Sequence, residues 1–226
     1  MTSVNVEALI ETMADRLEAA GLTPLDGFGH GTQSAFDEAA WLVLWRLGLP
    51  LDDLGSVAER LVTADETAQI EALIEQRINS RQPAAYLTQE AWLQGVPFYV
   101  DERVIIPRSF IAELLADGSI DPWLSEDTAR VLDLCTGNGS LAVLAAMTYP
   151  DVAVDAADIS TDALAVARIN LERHALTHRI TLIESAGLAA RPVPHAPILS
   201  NPPYLHSARI AALPPAFRAD PAHPAA

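Results

Sequence analysis

The sequence contains no lysine, so all 14 of its basic residues are arginines, against 30 acidic residues and a formal net charge of −16. A Walker-type phosphate-binding loop requires a lysine, so this class of nucleotide site is excluded. The clustered positive charge with which proteins bind duplex nucleic acid is also scarce. The acidic balance favours encounter with a basic protein partner, although a surface that merely aids solubility explains it at least as well.

Only one cysteine, Cys135, occurs in 226 residues, which excludes an intramolecular disulfide and a cysteine-rich zinc module. The six histidines show no spacing typical of metal ligands, so no metal site is predicted. No apolar run reaches the length of a membrane-spanning helix, and the N-terminus lacks the features of a secretory signal. We therefore expect a soluble, cytoplasmic protein that uses neither a metal nor a membrane.

The order of apolar patterns predicts three successive parts of the chain. Residues 1–86 carry apolar side chains at helical spacing, which indicates a small helical domain. Residues 87–106 are rich in aromatic and branched side chains around a Gln-Gly pair, which indicates a hairpin linker. From residue 107 to 226 strands alternate with helices, which indicates a parallel, Rossmann-like α/β sheet. Four strands are predicted in it, over residues 131–134, 152–158, 180–184 and 197–200.

A glycine-containing turn follows the first of these strands. The run from Asp133 to Gly139 places Gly137 and Gly139 between strand and helix, where backbone N–H groups can approach a ligand closely. Asp158 ends the next strand, where a carboxylate accepts hydrogen bonds from ribose hydroxyls. Together these residues predict a nucleotide-type cofactor site, and a purely structural turn is the alternative. The small size of Cys135 explains its place in this turn better than a nucleophilic role does.

A second motif, Asn201-Pro202-Pro203-Tyr204, directly follows the fourth predicted strand. A primary amide is a poor nucleophile because its nitrogen lone pair is delocalised into the carbonyl group. A site that accepts both amide hydrogens, at the Asn201 side-chain oxygen and the Pro202 carbonyl, would aim that nitrogen at an electrophile. The alternative is an ordinary Asn-Pro turn that ends a strand.

These motifs resemble the HemK/PrmB family of class I, S-adenosylmethionine-dependent protein-glutamine methyltransferases. The resemblance extends from about Gly29 to about Pro221, and within the family it is strongest to the branch that acts on large-subunit ribosomal protein L three. The segments that carry it are Gly29-His30-Gly31-Thr32, Arg81 to Thr88, Phe98 to Ser109, Asp133 to Gly139, Asp158-Ile159-Ser160 and Asn201 to Tyr204.

The resemblance implies a class I methyltransferase fold, S-adenosyl-L-methionine as cofactor, and methylation of a glutamine side chain in a ribosomal protein. Arg108 is expected to help close the site. The catalytic residues that it implies are Asn201, Pro202, Pro203 and Tyr204. The cofactor-binding residues that it implies are Asp133, Cys135, Thr136, Gly137, Gly139, Asp158, Ile159 and Asn201.

The chain departs from the family pattern in three places. Ala186 stands where the family usually has an acid for the adenine amino group, and Ala196 stands where the last strand usually begins with aspartate. The chain also ends at Ala226, so we expect an incomplete sheet whose open edge associates with another chain and lowers activity. Three alternatives therefore stay open: a release-factor glutamine methyltransferase, a nucleic-acid amino methyltransferase, and an inactive, truncated paralogue.

Overall fold

The structure is a computed structural model, and it describes residues 4–23, 32–125, 127–188 and 197–202. These residues form two compact units, divided between Thr88 and Gln89. Each unit has a hydrophobic core of its own.

Within the described ranges, none of the helices combines the length and the apolar character needed to cross a bilayer.

The first unit is helical, as its sequence pattern predicts. In α1 the buried residues recur every three or four positions, so one apolar face of the helix enters the core. At the start of α4, Thr63 and Glu66 form a reciprocal capping box that satisfies two backbone N–H groups. The elements are β1 (Val4–Asn5), α1 (Val6–Ala19), α2 (Ala35–Leu47), α3 (Leu54–Val57), β2 (Leu61–Val62), α4 (Ala64–Ser80) and α5 (Ala84–Thr88), with β1 and β2 paired antiparallel.

A buried ion pair joins α2 to α4 inside this unit. The Arg77 Nε donates to Glu38 Oε1 at 2.7 Å, and neither side chain is more than 1% exposed. The Thr32 hydroxyl donates to the other Glu38 oxygen, also at 2.7 Å. Burial raises the pKa of Glu38 and lowers that of Arg77, while each charge opposes the shift of the other. The pair is therefore a polar link in a core that is otherwise apolar.

The second unit is a parallel α/β sheet preceded by a hairpin. In the described residues the sheet has four strands in the order β7-β6-β5-β8, and all three pairings are parallel, which confirms the predicted fold class. The elements are β3 (Glu90–Leu93), β4 (Val96–Tyr99), α6 (Phe110–Ala116), a 3-10 helix (Asp121–Trp123), β5 (Arg130–Leu134), α7 (Ser140–Thr148), β6 (Ala153–Asp158), α8 (Thr161–Arg173), β7 (Ile180–Glu184) and β8 (Ile198–Ser200).

The β3–β4 hairpin belongs to this second unit. Phe98 is fully buried in the core of this unit, and the backbone of Tyr99 is hydrogen-bonded to Asn170 of α8. The sequence predicts the segment 87–106 as a linker. Its periodicity indicates that two strands pair, but it does not indicate which part of the chain the pair packs against. The three-part division of the chain stays a prediction.

Candidate cofactor and substrate site

The candidate site lies at the carboxyl ends of β5, β6 and β8. Strand β5 has β6 on one side and β8 on the other, so the order of the strands reverses at β5. In open α/β sheets a ligand binds in the crevice at such a switch point. The pairing of Leu134 with Ser200 brings the turn after β5 and the Asn201 turn to the same edge. The two motifs that are 62 residues apart in sequence, from Gly139 to Asn201, thus start from adjacent strands.

The turn after β5, residues 135–139, is called the cofactor loop below. Cys135, Gly137 and Gly139 all have positive φ, at 62°, 57° and 81°. At Gly139 a side chain would also be crowded, because a Cβ there would lie 3.2 Å from the Cβ of Ala167 on α8. The two glycines leave the backbone at residues 137 and 139 without a side chain, which favours close approach to a ligand.

Asp133 holds the cofactor loop from inside the protein. Its Oδ2 accepts hydrogen bonds from the Thr136 hydroxyl at 2.5 Å and from the Ala142 N–H at 3.1 Å. Its Oδ1 is buried and has no hydrogen-bond partner in the described residues. Burial raises the pKa of this carboxyl to about 6, and the negative charge of Asp158 adds to the effect. Asp133 is therefore a carboxyl group with a raised pKa, and one of its oxygens can still accept a hydrogen bond.

Asp158 links the cofactor loop to the start of α8. Its Oδ2 accepts from the Gly137 N–H and its Oδ1 accepts from the Ser160 N–H, both at 2.9 Å. Next to it, Ile159 is 63% exposed, which places a large apolar side chain at the surface beside the carboxylate. Burial raises the pKa of the Cys135 thiol, and the charges of Asp158 and Asp133 raise it further, so at neutral pH the thiol is protonated.

The substrate side of the site is described as far as Pro202. The side-chain Nδ2 of Asn201 donates to the backbone carbonyl of Arg108 at 2.8 Å. Pro202 is half-buried. The other two residues of the predicted catalytic motif, Pro203 and Tyr204, lie outside the described residues.

Two hydrogen bonds of the site are not indicated by the sequence. One is that of Asn201 with the Arg108 carbonyl, because the family resemblance points only to the side chain of Arg108. The other is that of Asn138, which is 3% exposed and whose backbone carbonyl accepts from Asn170. The signal available for Asn170 is a lone amide among the apolar residues of an amphipathic helix. In the described part of the chain, no group of three His, Cys, Asp or Glu side chains is placed to bind a metal.

The fold and the site define a Rossmann-like class I methyltransferase. Consistent with this, residues 120–213 match the family model described as "Methyltransferase small domain", and residues 29–88 match the "PrmC N-terminal domain". Among solved structures, an S-adenosylmethionine-dependent methyltransferase from Agrobacterium tumefaciens matches with 21% identity, a TM-score of 0.39, and coverage of 50% of this chain and 39% of that one, a similarity too low to carry the assignment.

Curated relatives narrow the class to one family. A ribosomal protein uL3 glutamine methyltransferase from Burkholderia pseudomallei is 45% identical over 96% of this chain and 72% of its own length. Proteins of the same name from Bordetella pertussis and Neisseria gonorrhoeae are 45% and 44% identical, over 95% and 96% of this chain and 71% of their own length. The chain belongs to the family of ribosomal protein uL3 glutamine methyltransferases, which confirms the resemblance that its motifs show.

Proposed function

We propose that this chain methylates the side-chain amide nitrogen of a glutamine in ribosomal protein uL3, with S-adenosylmethionine as the methyl donor. The observation that carries the proposal is family membership, at 44–45% identity over nearly the whole chain. The geometry supports it, because the cofactor loop and the Asn201 turn lie on adjacent strands. A ribosomal protein is met in the cytoplasm, where we expect this protein to act.

The residues present fit this cofactor. Asp133 Oδ1 and Asn138 Nδ2 are buried polar atoms beside the loop without a partner in the described residues, and a ligand that carries both an ammonium and a carboxylate group can satisfy such atoms. Asp158 has the placement of a ribose-binding acid at the end of the second strand. The exposed side chain of Ile159 offers an apolar surface for a base. The residues that would hold the cofactor are Asp133, Cys135, Thr136, Gly137, Gly139, Asp158 and Ile159, and the contact of Asn201 with the cofactor stays a prediction.

When bound, this cofactor would supply an electrophilic methyl group on a sulfonium: the N–CH3 bond forms as the S–CH3 bond breaks, a neutral thioether leaves, and the proton lost from the amide nitrogen passes to water. The chain's own residues orient that nitrogen. Because the Asn201 Nδ2 is engaged with the Arg108 carbonyl, the Asn201 amide is held in one orientation and its Oδ1 is the atom that accepts a substrate N–H. The Pro202 carbonyl would accept the second N–H, and the fixed φ of Pro202 limits the freedom of the backbone in this turn.

The helical unit is proposed to recognise the substrate. One face of α1 presents Glu7, Glu11, Asp15 and Glu18, all exposed and spaced three or four residues apart. Like charges at this spacing destabilise a helix, and a basic protein partner offsets that cost. Ribosomal proteins bind RNA and are therefore rich in positive charge. The predicted association through the open sheet edge beside β8 stays a prediction.

The test is to incubate the chain with methyl-labelled S-adenosylmethionine and unmethylated uL3, with a release factor and ribosomal RNA as parallel substrates. Mass spectrometry should find the label on a glutamine of uL3. Label on lysine or arginine would contradict the proposed chemistry. Preferential labelling of the release factor or of RNA would contradict the proposed substrate while leaving the methyltransferase assignment in place.

A further inference from the structure

Asn170 is a polar side chain in the middle of the buried face of α8. The other buried residues of that helix, Ala163, Val166, Ala167 and Leu171, are all apolar, and Asn170 itself is fully buried. Asparagine is a poor helix former, and burial of an amide is unfavourable unless its hydrogen bonds are made. The reason for an asparagine at this position therefore has to lie in contacts outside α8.

The hydrogen bonds of Asn170 reach two separate segments. Its Oδ1 accepts from the Tyr99 N–H at 2.7 Å, and its Nδ2 donates to the Tyr99 carbonyl at 3.0 Å. The same Nδ2 donates to the Asn138 carbonyl at 2.9 Å. Both amide hydrogens and the amide oxygen are thus engaged. A single carboxamide joins the β3–β4 hairpin to the cofactor loop.

The cofactor loop also rests on α8 through direct packing. A Cβ at Gly139 would lie 3.2 Å from the Ala167 Cβ, tighter than an ordinary van der Waals contact, and the Leu171 side chain lies 3.5 Å from the same point. Asn170 is three residues beyond Ala167 and therefore on the same face of the helix. Packing limits how far the loop can move toward α8, and the hydrogen bond to Asn138 limits how far it can move away.

We propose that Asn170 is a positioning residue that holds the cofactor loop in its binding geometry and couples the loop to the β3–β4 hairpin. The link to cofactor affinity rests on the proposed function, whereas the coupling of loop and hairpin does not. Because such coupling is reciprocal, a ligand that orders the loop also stabilises the hairpin backbone at Tyr99.

Hydrogen exchange of the unaltered chain tests the coupling without any substitution. Addition of S-adenosylhomocysteine should slow exchange in residues 135–143 and also in residues 96–103, while residues 8–20 of the first unit stay unchanged. Protection of the loop without protection of the hairpin would overturn the coupling. A chain that binds no S-adenosylhomocysteine would contradict the proposed function instead, and the ligand-free comparison of variants would then decide the role of Asn170.

Variants test the positioning role directly. Asn170→Asp keeps the size and the acceptor for the Tyr99 N–H but replaces the two donated hydrogen bonds with repulsion from two carbonyls. Asn170→Ser is the milder variant if Asn170→Asp does not fold. The control is Ile180→Ala, which removes a buried apolar side chain from β7 in the same core.

In the Asn170 variants, exchange of residues 135–143 without ligand should be about tenfold faster, and the Kd for S-adenosylhomocysteine about tenfold higher, which corresponds to about 1.4 kcal/mol. Ile180→Ala should lower the melting temperature at least as much and leave both quantities within about threefold of the unaltered chain. In an activity assay, KM for S-adenosylmethionine should rise while kcat at saturation changes little. The role is disproved if the control variant changes exchange and Kd as much as the Asn170 variants do, or if those variants change neither.

Discussion

At the scale of single side chains, the amide of Asn201 takes its orientation from a backbone carbonyl. Its Nδ2 donates to the carbonyl of Arg108, in the segment that precedes α6. The acceptor is a backbone atom, so it remains when the Arg108 side chain is replaced. A substitution at residue 108 therefore does not remove this hydrogen bond. In the proposed function this orientation serves the amide of the substrate.

We therefore expect Asn201→Ala to lower kcat about tenfold or more, equivalent to about 1.4 kcal/mol of lost transition-state stabilisation. The Kd for S-adenosylhomocysteine, measured by calorimetry, should hardly change. Ser200→Ala is the matched control, because it removes the adjacent hydroxyl, which donates to the Leu134 carbonyl, without removing the amide. Full turnover in Asn201→Ala, or an equal loss in Ser200→Ala, would count against the proposed role.

The Asp133 carboxyl makes stability depend on pH. Its pKa is about 6 in the folded chain against a reference value of 3.8, so the folded state binds this proton more tightly than the unfolded state does. The stabilisation by that proton is present below pH 3.8 and is lost as pH rises to 6, and it amounts to about 3 kcal/mol. Above pH 6 the folded chain retains a buried charge.

Asp133→Asn removes this titration while keeping the size of the side chain. Urea unfolding at pH 4 and at pH 7.5 should show that the stability of Asp133→Asn relative to the unaltered chain improves by about 2–3 kcal/mol at the higher pH. The comparison between the two proteins cancels the titration of the other carboxylates. A stability difference that is the same at both values of pH would show that Asp133 does not titrate in this range.

At the scale of elements, Arg179 closes the C-terminal end of α7. From the turn before β7, its guanidinium donates to the carbonyls of Ala146 at 2.7 Å and Tyr149 at 2.8 Å, and also to Val152. Carbonyls at the end of a helix have no partners within the helix, and a cation there also interacts favourably with the helix dipole. The Arg179 side chain therefore connects the end of α7 to the turn that precedes β7.

Arg179→Met should destabilise the chain by about 2 kcal/mol, because it keeps much of the aliphatic stem but removes the guanidinium donor from three carbonyls, of which that of Tyr149 still accepts from the Val152 N–H at 3.2 Å. The control is Arg168→Met on the exposed face of α8, which should change the free energy of unfolding by no more than about 0.5 kcal/mol. Denaturant unfolding measures both. Equal effects from the two substitutions would mean that the three hydrogen bonds contribute little.

The elements also show how far sequence reasoning reaches. The predicted strand at residues 180–184 agrees with β7 at both ends, and the other three predicted strands differ from β5, β6 and β8 by one residue at their starts. The positions of these strands are local features, set by periodicity and by turn residues. The packing of the hairpin, the Asn170 bridge and the Arg108 carbonyl contact join residues 32 to 93 positions apart, and no periodic pattern records such pairs.

At the scale of the molecule, each unit has buried polar side chains inside its core, and in the second unit these include Asn170. In the first unit this is the Glu38–Arg77 pair, which is far more buried than the surface pair of Arg16 with Glu75. A buried pair need not be more stable than an apolar replacement, but removal of one partner leaves an isolated charge. The cost of breaking the pair is therefore much larger than its net contribution to stability.

Arg77→Met should destabilise the first unit by about 3–5 kcal/mol, and the double variant Arg77→Met/Glu38→Leu should recover most of that loss. Arg16→Met, which breaks the exposed pair, should cost no more than about 1 kcal/mol. Unfolding in urea, followed by far-ultraviolet circular dichroism, reports these values. No recovery in the double variant would show that the pair itself, and not the isolated charge, stabilises the unit.

The Asn138-Gly139 dipeptide of the cofactor loop bears on the chemical lifetime of the protein. Asparagine before glycine deamidates readily, because the glycine nitrogen can attack the side-chain carbonyl carbon to close a succinimide ring. Here the Gly139 N–H is donated to the Thr136 carbonyl at 2.9 Å, and the Asn138 Oδ1 accepts from the Ser140 N–H at 3.2 Å. Ring closure therefore requires the loop to open. Mass spectrometry can follow the accumulation of aspartate at residue 138 during storage, and its rate reports how often the loop opens. This accumulation should be faster in Asn170→Asp. Asn201 does not age by this route, because the nitrogen of Pro202 carries no hydrogen.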